Sequence, residues 1–257
     1  MHKHYAVVID AGSTSSKVNV YSWKDFPFRK QGYVEQVNRK PYRSEPGISS
    51  YLNEPSKAYF SLESILSHAI EENIPSQSIP NSNVYLAATA GMRIALKKNK
   101  EGAKELFQRL RSDLKNNCPL QLQYPDTDVR LLSGEEEGVH GWITANYLNG
   151  SFGMNVDSPP KNTLDTAGAL DMGGASTQIT FVVDTDTAKM FPHETIMKKQ
   201  LYKNSYHIYS RSLLCNGKNE FAYIYRRLLV VEALESSRDP VSNFLSTIRM
   251  QYDRLQH

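Results

Sequence analysis

The chain has 257 residues, 40% of them hydrophobic, so it is long enough for one large or two modest domains with a proper core. Its 30 basic and 27 acidic residues give a net charge of +3 without a sustained basic block. The charge pattern therefore gives no indication of binding to nucleic acid or to an anionic membrane. The two cysteines, Cys118 and Cys215, exclude a disulfide framework and lack the close spacing of a zinc site, and no apolar run reaches the roughly 20 residues of a spanning helix.

The first elements in chain order predict a β-hairpin. Tyr5–Asp10 is a β-rich apolar run that ends on a carboxylate, Ala11–Ser16 is small and polar, and Lys17–Trp23 alternates like a strand. A third strand is predicted near Tyr33–Val37, followed by a proline-rich surface loop. Because Met1–His4 leads directly into the first strand, no signal peptide is expected at this end.

Strands then alternate with helices. The three-and-four spacing of apolar residues over Pro55–Glu72 predicts an amphipathic helix that packs on a sheet. Two strand-and-helix units are predicted after it. Their elements are the strand Val84–Ala88, a tight turn at Thr89–Arg93, the helix Glu101–Lys115, the strand Val129–Leu132 and the helix Glu135–Leu148.

A domain boundary is predicted in the middle of the chain. Gly150–Thr166 is rich in Gly, Pro, Asp and Asn and is typical of a linker, so we expect one domain over residues 1–166 and a second over 167–257. Beyond the boundary, Leu170–Val183 repeats the hairpin design of the first strands. The remaining segments predicted to be helical are Asn204–Leu234 and Pro240–Leu255.

Both hairpins carry a loop of glycines and hydroxyls, at 10–14 and 171–177. Such a loop lets the backbone approach an anion and points several N–H donors at it. Asp10 and Asp171 end the preceding strands, and hard carboxylates beside phosphate loops are best explained by Mg²⁺ or Ca²⁺ that bridges through water. A plain hairpin turn uses the same residue types. Two loops of one design, however, favour a metal–nucleotide site.

Three acidic residues, Glu135, Glu136 and Glu137, open one predicted helix. The macrodipole favours negative charge there, so a solvated, well-capped first turn accounts for Glu135 and Glu136. Glu137 lies beside a glycine at a strand-to-helix junction and is a candidate general base, since phosphoryl transfer needs a positioned nucleophile. Thr89 offers a hydroxyl to water or phosphate, and a structural ion pair is the favoured interpretation of Arg93.

The common nucleotide-binding motifs do not occur in the sequence. It has no Gly-x-x-x-x-Gly-Lys-Ser/Thr loop and no Gly-x-Gly-x-x-Gly, so P-loop and dinucleotide architectures are not indicated. The histidines, among them His68, His140, His193 and His207, show no i, i+4 zinc spacing and are interpreted as ordinary surface or core residues.

Four segments resemble, in order, the first four conserved regions of the apyrase (nucleoside triphosphate diphosphohydrolase) family. They are VIDAGSTS at Val8–Ser15, AATAGMR at Ala87–Arg93, LSGEEEGVHGWITANY at Leu132–Tyr147 and ALDMGGASTQ at Ala169–Gln178. Tyr209–Lys218 is similar to a segment typical of the cell-surface branch. The resemblance extends from about Tyr5 to Tyr225.

This resemblance implies an α/β fold of the actin, hexokinase and heat-shock ATPase superfamily, with two RNase H-like lobes that hold the nucleotide phosphates between their hairpins. Glu137 would be the base, and Thr89 would touch the reacting phosphate. Ser176 and Gln178 would help to hold the attacking water and the metal shell. The remaining matches are Ser13, Thr14 and Ser15 in the first phosphate loop, Gly173, Gly174 and Ala175 in the second, and Asp10 and Asp171 as carboxylates that hold metal-bound water.

The chain departs from the family pattern mainly in length. The fifth conserved region and the aromatic nucleoside-binding residues would follow His257, so the resemblance implies an incomplete second lobe, in a trimmed domain or a short isoform. Ser15 stands where members often carry His or Gly. Membrane attachment would come only through anchors outside this chain. The cell-surface-like segment implies an extracellular or lumenal location, and Asn149–Ser151 is one glycosylation acceptor.

Three functions remain open from the sequence. The leading hypothesis is hydrolysis of the terminal phosphate of nucleoside tri- and diphosphates by water, with Mg²⁺ or Ca²⁺ neutralising the leaving oxygen. The expected partners are these nucleotides and not nucleic acid. An exopolyphosphatase or guanosine pentaphosphate phosphatase has a similar arrangement of loop, glutamate and Gly-Gly. A truncated second lobe would also allow a non-catalytic fragment that binds nucleotide without turnover.

Overall fold

The structure is a computed structural model, which describes residues 3–25, 33–152, 162–202 and 204–236. The helix predicted for Pro240–Leu255 lies outside these residues. The described strands are β1 (Lys3–Ala11), β2 (Ser16–Lys24), β3 (Glu35–Gln36), β4 (Tyr42–Ser44), β5 (Asn83–Ala88), β6 (Val129–Leu131), β7 (Ala169–Met172), β8 (Ser176–Val183), β9 (Ile196–Leu201) and β10 (Asn204–Leu214). The described α-helices are α1 (Ser56–Asn73), α2 (Ala90–Lys98), α3 (Lys100–Asn117), α4 (Pro125–Asp128), α5 (Gly134–Leu148), α6 (Thr185–Ala188) and α7 (Lys218–Ser236).

The first sheet has the strand order β3-β2-β1-β5-β6, and β4 also pairs with β2. β1, β2 and β3 form an antiparallel meander, while β5 and β6 join β1 as parallel strands. An antiparallel meander continued by parallel strands is the RNase H-like arrangement. The mixed α/β class that the resemblance implies is therefore confirmed.

Helices cover this sheet because their apolar residues recur on one face. In α1 the buried side chains include Ala58, Leu62, Leu66 and Ala69, which follow the predicted three-and-four spacing. α1 packs against β2, β4 and α3, and α3 also packs against β6. The resulting core includes Val7, Ile9, Val18, Val20, Leu62, Leu66, Val84, Leu86, Leu106, Leu110, Leu114 and Val129.

The second sheet is antiparallel, with the order β7-β8-β10-β9. α5 packs against β7, β8 and β10. A smaller core lies between this helix and the sheet, and its centre is Trp142, which contacts the rings of Phe152 and Tyr206 at centroid distances of 5.5 Å each. Ile208 and Val139 complete the buried set. The domain boundary after residue 166 stays a prediction.

Both hairpins and the predicted helices of the first half are confirmed, but two sequence interpretations are wrong. Asn204–Leu214 is the strand β10 and not a helix, because Tyr206, Ile208 and Ser210 are buried in alternation against α5. The turn predicted at Thr89–Arg93 is the start of α2, which begins at Ala90. The strand β9 was not predicted. None of the described helices combines the length and the apolar character that a membrane-spanning helix requires.

Substitution of Trp142 tests how much of the second sheet's stability depends on its packing with α5. The side chain is 0% exposed, so we expect Trp142→Ala to lower the free energy of unfolding by about 3–5 kcal/mol through loss of transfer energy and creation of a cavity. Chemical unfolding followed by far-ultraviolet circular dichroism measures this. Leu148→Ala is the control, because that side chain on the same helix is 78% exposed and should change stability by less than about 0.5 kcal/mol. Equal losses in both variants would contradict the assigned packing.

Candidate phosphate-binding and hydrolytic site

The two hairpins are built on the same register. Asp10 pairs across the strands with Lys17, and Asp171 pairs in the same way with Gln178. Each turn closes with one equivalent hydrogen bond, from Gly12 N–H to the Ser15 carbonyl at 3.0 Å and from Gly173 N–H to the Ser176 carbonyl at 2.9 Å. The likeness of the two loops is therefore one of backbone geometry as well as of sequence.

The two loops face each other across a narrow separation. A β-carbon on Gly174 would lie 2.6 Å from Ser13 Oγ and 3.0 Å from Thr14 Oγ1, so these hydroxyl groups would have to shift to accommodate it. Glycine at this position therefore allows the loops to approach. Between them is a cleft of about 320 Å³. Its lining includes the predicted residues Asp10, Ser13, Thr14, Ser15, Thr89, Glu137, Asp171, Gly173, Gly174, Ala175 and Ser176.

Glu137 enters the cleft from the first turn of α5. The helix begins with a capping box in which Ser133 and Glu136 satisfy each other's backbone N–H groups, which fixes the orientation of this turn. Glu136 also pairs with Arg130 at 2.9 Å. The sequence interpretation of Glu136 as a capping residue is thus confirmed, and Glu137 is left facing the cleft.

Arg93 holds the Glu137 carboxylate. Its Nη2 donates to Glu137 Oε2 at 2.7 Å and to Ser176 Oγ at 3.0 Å, and its Nη1 donates to the Leu132 carbonyl at 3.1 Å. The ion pair is mostly sheltered, with the Arg93 and Glu137 side chains 12% and 19% exposed. The ion pair predicted for Arg93 is confirmed, and its partner is the candidate base itself.

Gln178 is the one predicted residue that lies behind the cleft lining. Its Nε2 donates to Ser176 Oγ at 2.7 Å, to Ser212 Oγ at 3.0 Å and to Glu137 Oε2 at 3.2 Å. Its Oε1 is buried and has no hydrogen-bond partner within the described residues. A buried amide oxygen without a donor is costly and suits a bound water. The amide can therefore orient both Glu137 and a water molecule.

Thr89 joins the first loop to the parallel strands. Its N–H donates to the Ala11 carbonyl at 3.2 Å, and it is the last residue before α2. Next to it, a β-carbon on Gly91 would lie 2.6 Å from Ser13 Cα, so α2 begins directly against the first loop. The Thr89 side chain is buried at the edge of the cleft.

Three carboxylates line the cleft, and the pKa values of Glu137 and Asp10 are raised there. Burial raises the pKa of Glu137, Arg93 opposes this by favouring the carboxylate, and the nearby charges of Asp171 and Asp10 raise it again. Burial also raises the pKa of Asp10, against the opposing charge of Lys17, and Asp171 adds to the rise. Among the described residues, in this cleft or outside it, no group of three or more His, Cys, Asp and Glu side chains is placed to hold a metal ion.

Sequence reasoning gave no role in the site to the segment that supports the second loop. The N–H groups of Cys215, Lys218 and Asn219 donate to the carbonyls of Ala175, Gly173 and Gly174 at 2.8, 3.0 and 2.9 Å. Asn219 Nδ2 also donates to Thr14 Oγ1 of the first loop at 3.1 Å. The N–H groups of Gly174 and Ala175 have no acceptor in the described part of the chain.

Three cations of the cleft lining were also missed, namely Lys17, Arg43 and Lys218. Lys17 could have been found from the sequence, because the hairpin register places it opposite Asp10. Lys218 could not, since it follows a strand that the sequence pattern did not reveal.

The influence of Arg93 on Glu137 can be measured directly. Arg93→Met removes the positive charge that favours the carboxylate, so we expect the pKa of Glu137 to rise further above its ordinary value. A titration of the glutamate carboxyl carbons by ¹³C NMR, with Glu137 assigned through Glu137→Gln, follows this. Arg130→Met, which removes the partner of Glu136 instead, should leave the Glu137 titration unchanged. A pKa that stays constant or falls in Arg93→Met would contradict the ion pair.

Known proteins resemble the chain over most of its length. Ectonucleoside triphosphate diphosphohydrolase 3 of Mus musculus is 38% identical over 223 residues, which are 84% of this chain and 40% of that protein. Ectonucleoside triphosphate diphosphohydrolase 2 of Gallus gallus is 37% identical over 249 residues, 93% of this chain and 46% of that protein. The chain thus spans less than half the length of these curated relatives.

A solved structure shows the same fold. The crystal structure of nucleoside triphosphate hydrolases from Neospora caninum matches with a TM-score of 0.55 at 21% identity, covering 84% of this chain and 46% of that one. The sequence itself matches the GDA1/CD39 (nucleoside phosphatase) family over residues 1–251. The resemblance to the apyrases is thereby confirmed, and the chain belongs to the GDA1/CD39 family.

Proposed function

We propose that this chain carries the phosphate-binding and water-activating machinery of a hydrolase that removes the terminal phosphate of nucleoside tri- and diphosphates. The observation that carries the proposal is the Glu137 carboxylate in the same cleft as two facing glycine-rich loops. The loops offer backbone N–H donors and hydroxyls to the phosphates. Glu137 takes a proton from water as the water attacks the terminal phosphorus, and the bond to the leaving oxygen breaks.

The neighbours of Glu137 have separate roles in this proposal. Ser176 and Gln178 hold the attacking water, since both contact Glu137 or its Arg93 partner and Gln178 has an unpaired buried oxygen. Thr89 touches the reacting phosphate from the edge of the cleft. The loop residues Ser13, Thr14 and Ser15 and, opposite them, Gly173, Gly174 and Ala175 bind the phosphate chain.

A divalent cation fits the acidic side of the cleft. Asp10 and Asp171 both line it, and their charges raise the pKa of Glu137. Carboxylate oxygens are the ligands that Mg²⁺ and Ca²⁺ prefer. We propose that Asp10 and Asp171 hold such a cation through water. When bound, the cation would neutralise charge on the leaving oxygen.

The proposal also includes the domain division and the location of the protein. Two lobes, divided near residue 166, would each contribute one hairpin to the cleft. Ectonucleoside enzymes suggest a location at the cell surface or on the lumenal side of secretory membranes. The exposed Asn149 at the end of α5 would then be accessible for glycosylation.

Glu137→Gln tests the proposed base. We expect phosphate release from ATP with Mg²⁺ or Ca²⁺ to fall by about 10²–10⁴-fold, the usual contribution of general base catalysis. Binding of a non-hydrolysable ATP analogue should change by less than about threefold, because the amide keeps the shape of the side chain. Glu136→Gln is the matched control: it lies next to Glu137, a glutamine also completes a capping box, and activity should be retained.

Three outcomes would contradict the proposal in different ways. Undiminished phosphate release in Glu137→Gln would show that the base is assigned wrongly. If the unaltered chain binds the analogue but releases no phosphate, the chain is a non-catalytic nucleotide binder. Polyphosphate chains that displace the analogue and are hydrolysed in preference to ATP would instead indicate an exopolyphosphatase.

A further inference from the structure

Lys17 and Gln178 occupy equivalent positions in the two hairpins but have different chemistry. Each is the cross-strand partner of the aspartate that ends the preceding strand, Asp10 in one hairpin and Asp171 in the other. The turn between each pair has the same length and the same closing hydrogen bond. A neutral amide at one position is therefore matched by an ammonium group at the other.

The ammonium group interacts with its aspartate. Lys17 Nζ lies 3.6 Å from Asp10 Oδ2, and both side chains line the cleft with 44% and 46% of their surface exposed. On the other side of β2, Lys17 is paired with Arg43 of β4. Like charges on neighbouring strands repel, so Arg43, itself paired with Glu45, favours the orientation of Lys17 toward Asp10.

We propose that Lys17 is the internal counter-ion of Asp10, and that it weakens divalent-cation binding to the nucleotide-free cleft, so that the cation enters with the nucleotide. This inference rests on the proposed function for the role of Asp10. It adds a specificity-determining residue that selects the cation–nucleotide complex over the free cation.

The physical basis is the charge that surrounds Asp10. A divalent cation near Asp10 is repelled by the Lys17 ammonium a few ångströms away, and in a partly exposed cleft this repulsion is only partly screened. The negative charge of the nucleotide phosphates compensates both the divalent cation and the Lys17 ammonium group. At Asp171 the equivalent neighbour is uncharged, and Gln178 instead binds Ser176 and Glu137. The two halves of the cleft are therefore alike in backbone and unlike in charge.

The test is a binding measurement that needs no hydrolysis. Mn²⁺ is titrated against the whole chain without nucleotide, with free Mn²⁺ followed by electron paramagnetic resonance. Lys17→Gln gives the first hairpin the residue of the second, and we expect it to bind Mn²⁺ about tenfold more tightly than the unaltered chain. With a saturating non-hydrolysable ATP analogue, the difference should shrink to less than about threefold.

Two variants control for charge alone. Lys17→Arg keeps the positive charge and should bind Mn²⁺ like the unaltered chain. Lys24→Gln removes the same charge at the other end of β2 and should also leave the affinity unchanged. Circular dichroism confirms that each variant is folded.

The proposal is overturned if Lys17→Gln binds Mn²⁺ no more tightly than the unaltered chain, if Lys24→Gln shows the same gain, or if neither Lys17→Gln nor the unaltered chain binds Mn²⁺ at millimolar concentrations. Phosphate release by the unaltered chain, measured separately, decides the proposed function. A failure of Lys17 as counter-ion is therefore distinguishable from a failure of the hydrolase.

Discussion

The cleft depends on one guanidinium group that connects three parts of the molecule. Arg93 extends from α2, which follows β5 of the first sheet, and reaches Leu132 just after β6, the first turn of α5 and the first residue of β8. Because Arg93 and Glu137 are largely removed from solvent, each charge is compensated mainly by the other. The same guanidinium group thus holds the candidate base and contacts the second hairpin.

This contact places opposing demands on Glu137. A base must accept a proton, whereas an ion pair with arginine stabilises the carboxylate and makes it a weaker base. The structure balances the two, since burial and the charges of Asp171 and Asp10 raise the pKa that Arg93 lowers. A cation bound near the aspartates would shift this balance by removing their contribution. The charge state of the base is therefore coupled to the occupancy of the cleft.

Local sequence signals predicted the parts of the site that lie within single elements. The hairpin loops and the acidic turn at Glu137 were identified because short-range residue patterns determine turns and caps. The contact of Arg93 with Glu137 crosses 44 positions of the chain, so only the ion pair and not its partner could be predicted. β10 lies within the segment Asn204–Leu234 that was predicted as one helix, and only packing on α5 shows that alternate side chains of its first part are buried. Tertiary contacts, and not local preference, determine whether such a segment forms a strand.

The start of a helix supports each of the two hairpin loops, and this explains why two short hairpins can hold a fixed separation. Gly91 at the start of α2 lies against Ser13 of the first loop, and Gly217, just before α7, lies against the backbone of Gly174 and Ala175 in the second. A side chain at either glycine would push the helix away from its loop. Each hairpin loop therefore rests on the N-terminal end of a helix, where the macrodipole provides partial positive charge. Asn219 then connects the two supports, because it donates to Gly174 through its backbone and to Thr14 through its side chain. The first residues of α2 and α7 border the same cleft as Asp10, Asp171 and Glu137, so the cleft presents both signs of charge to an occupant.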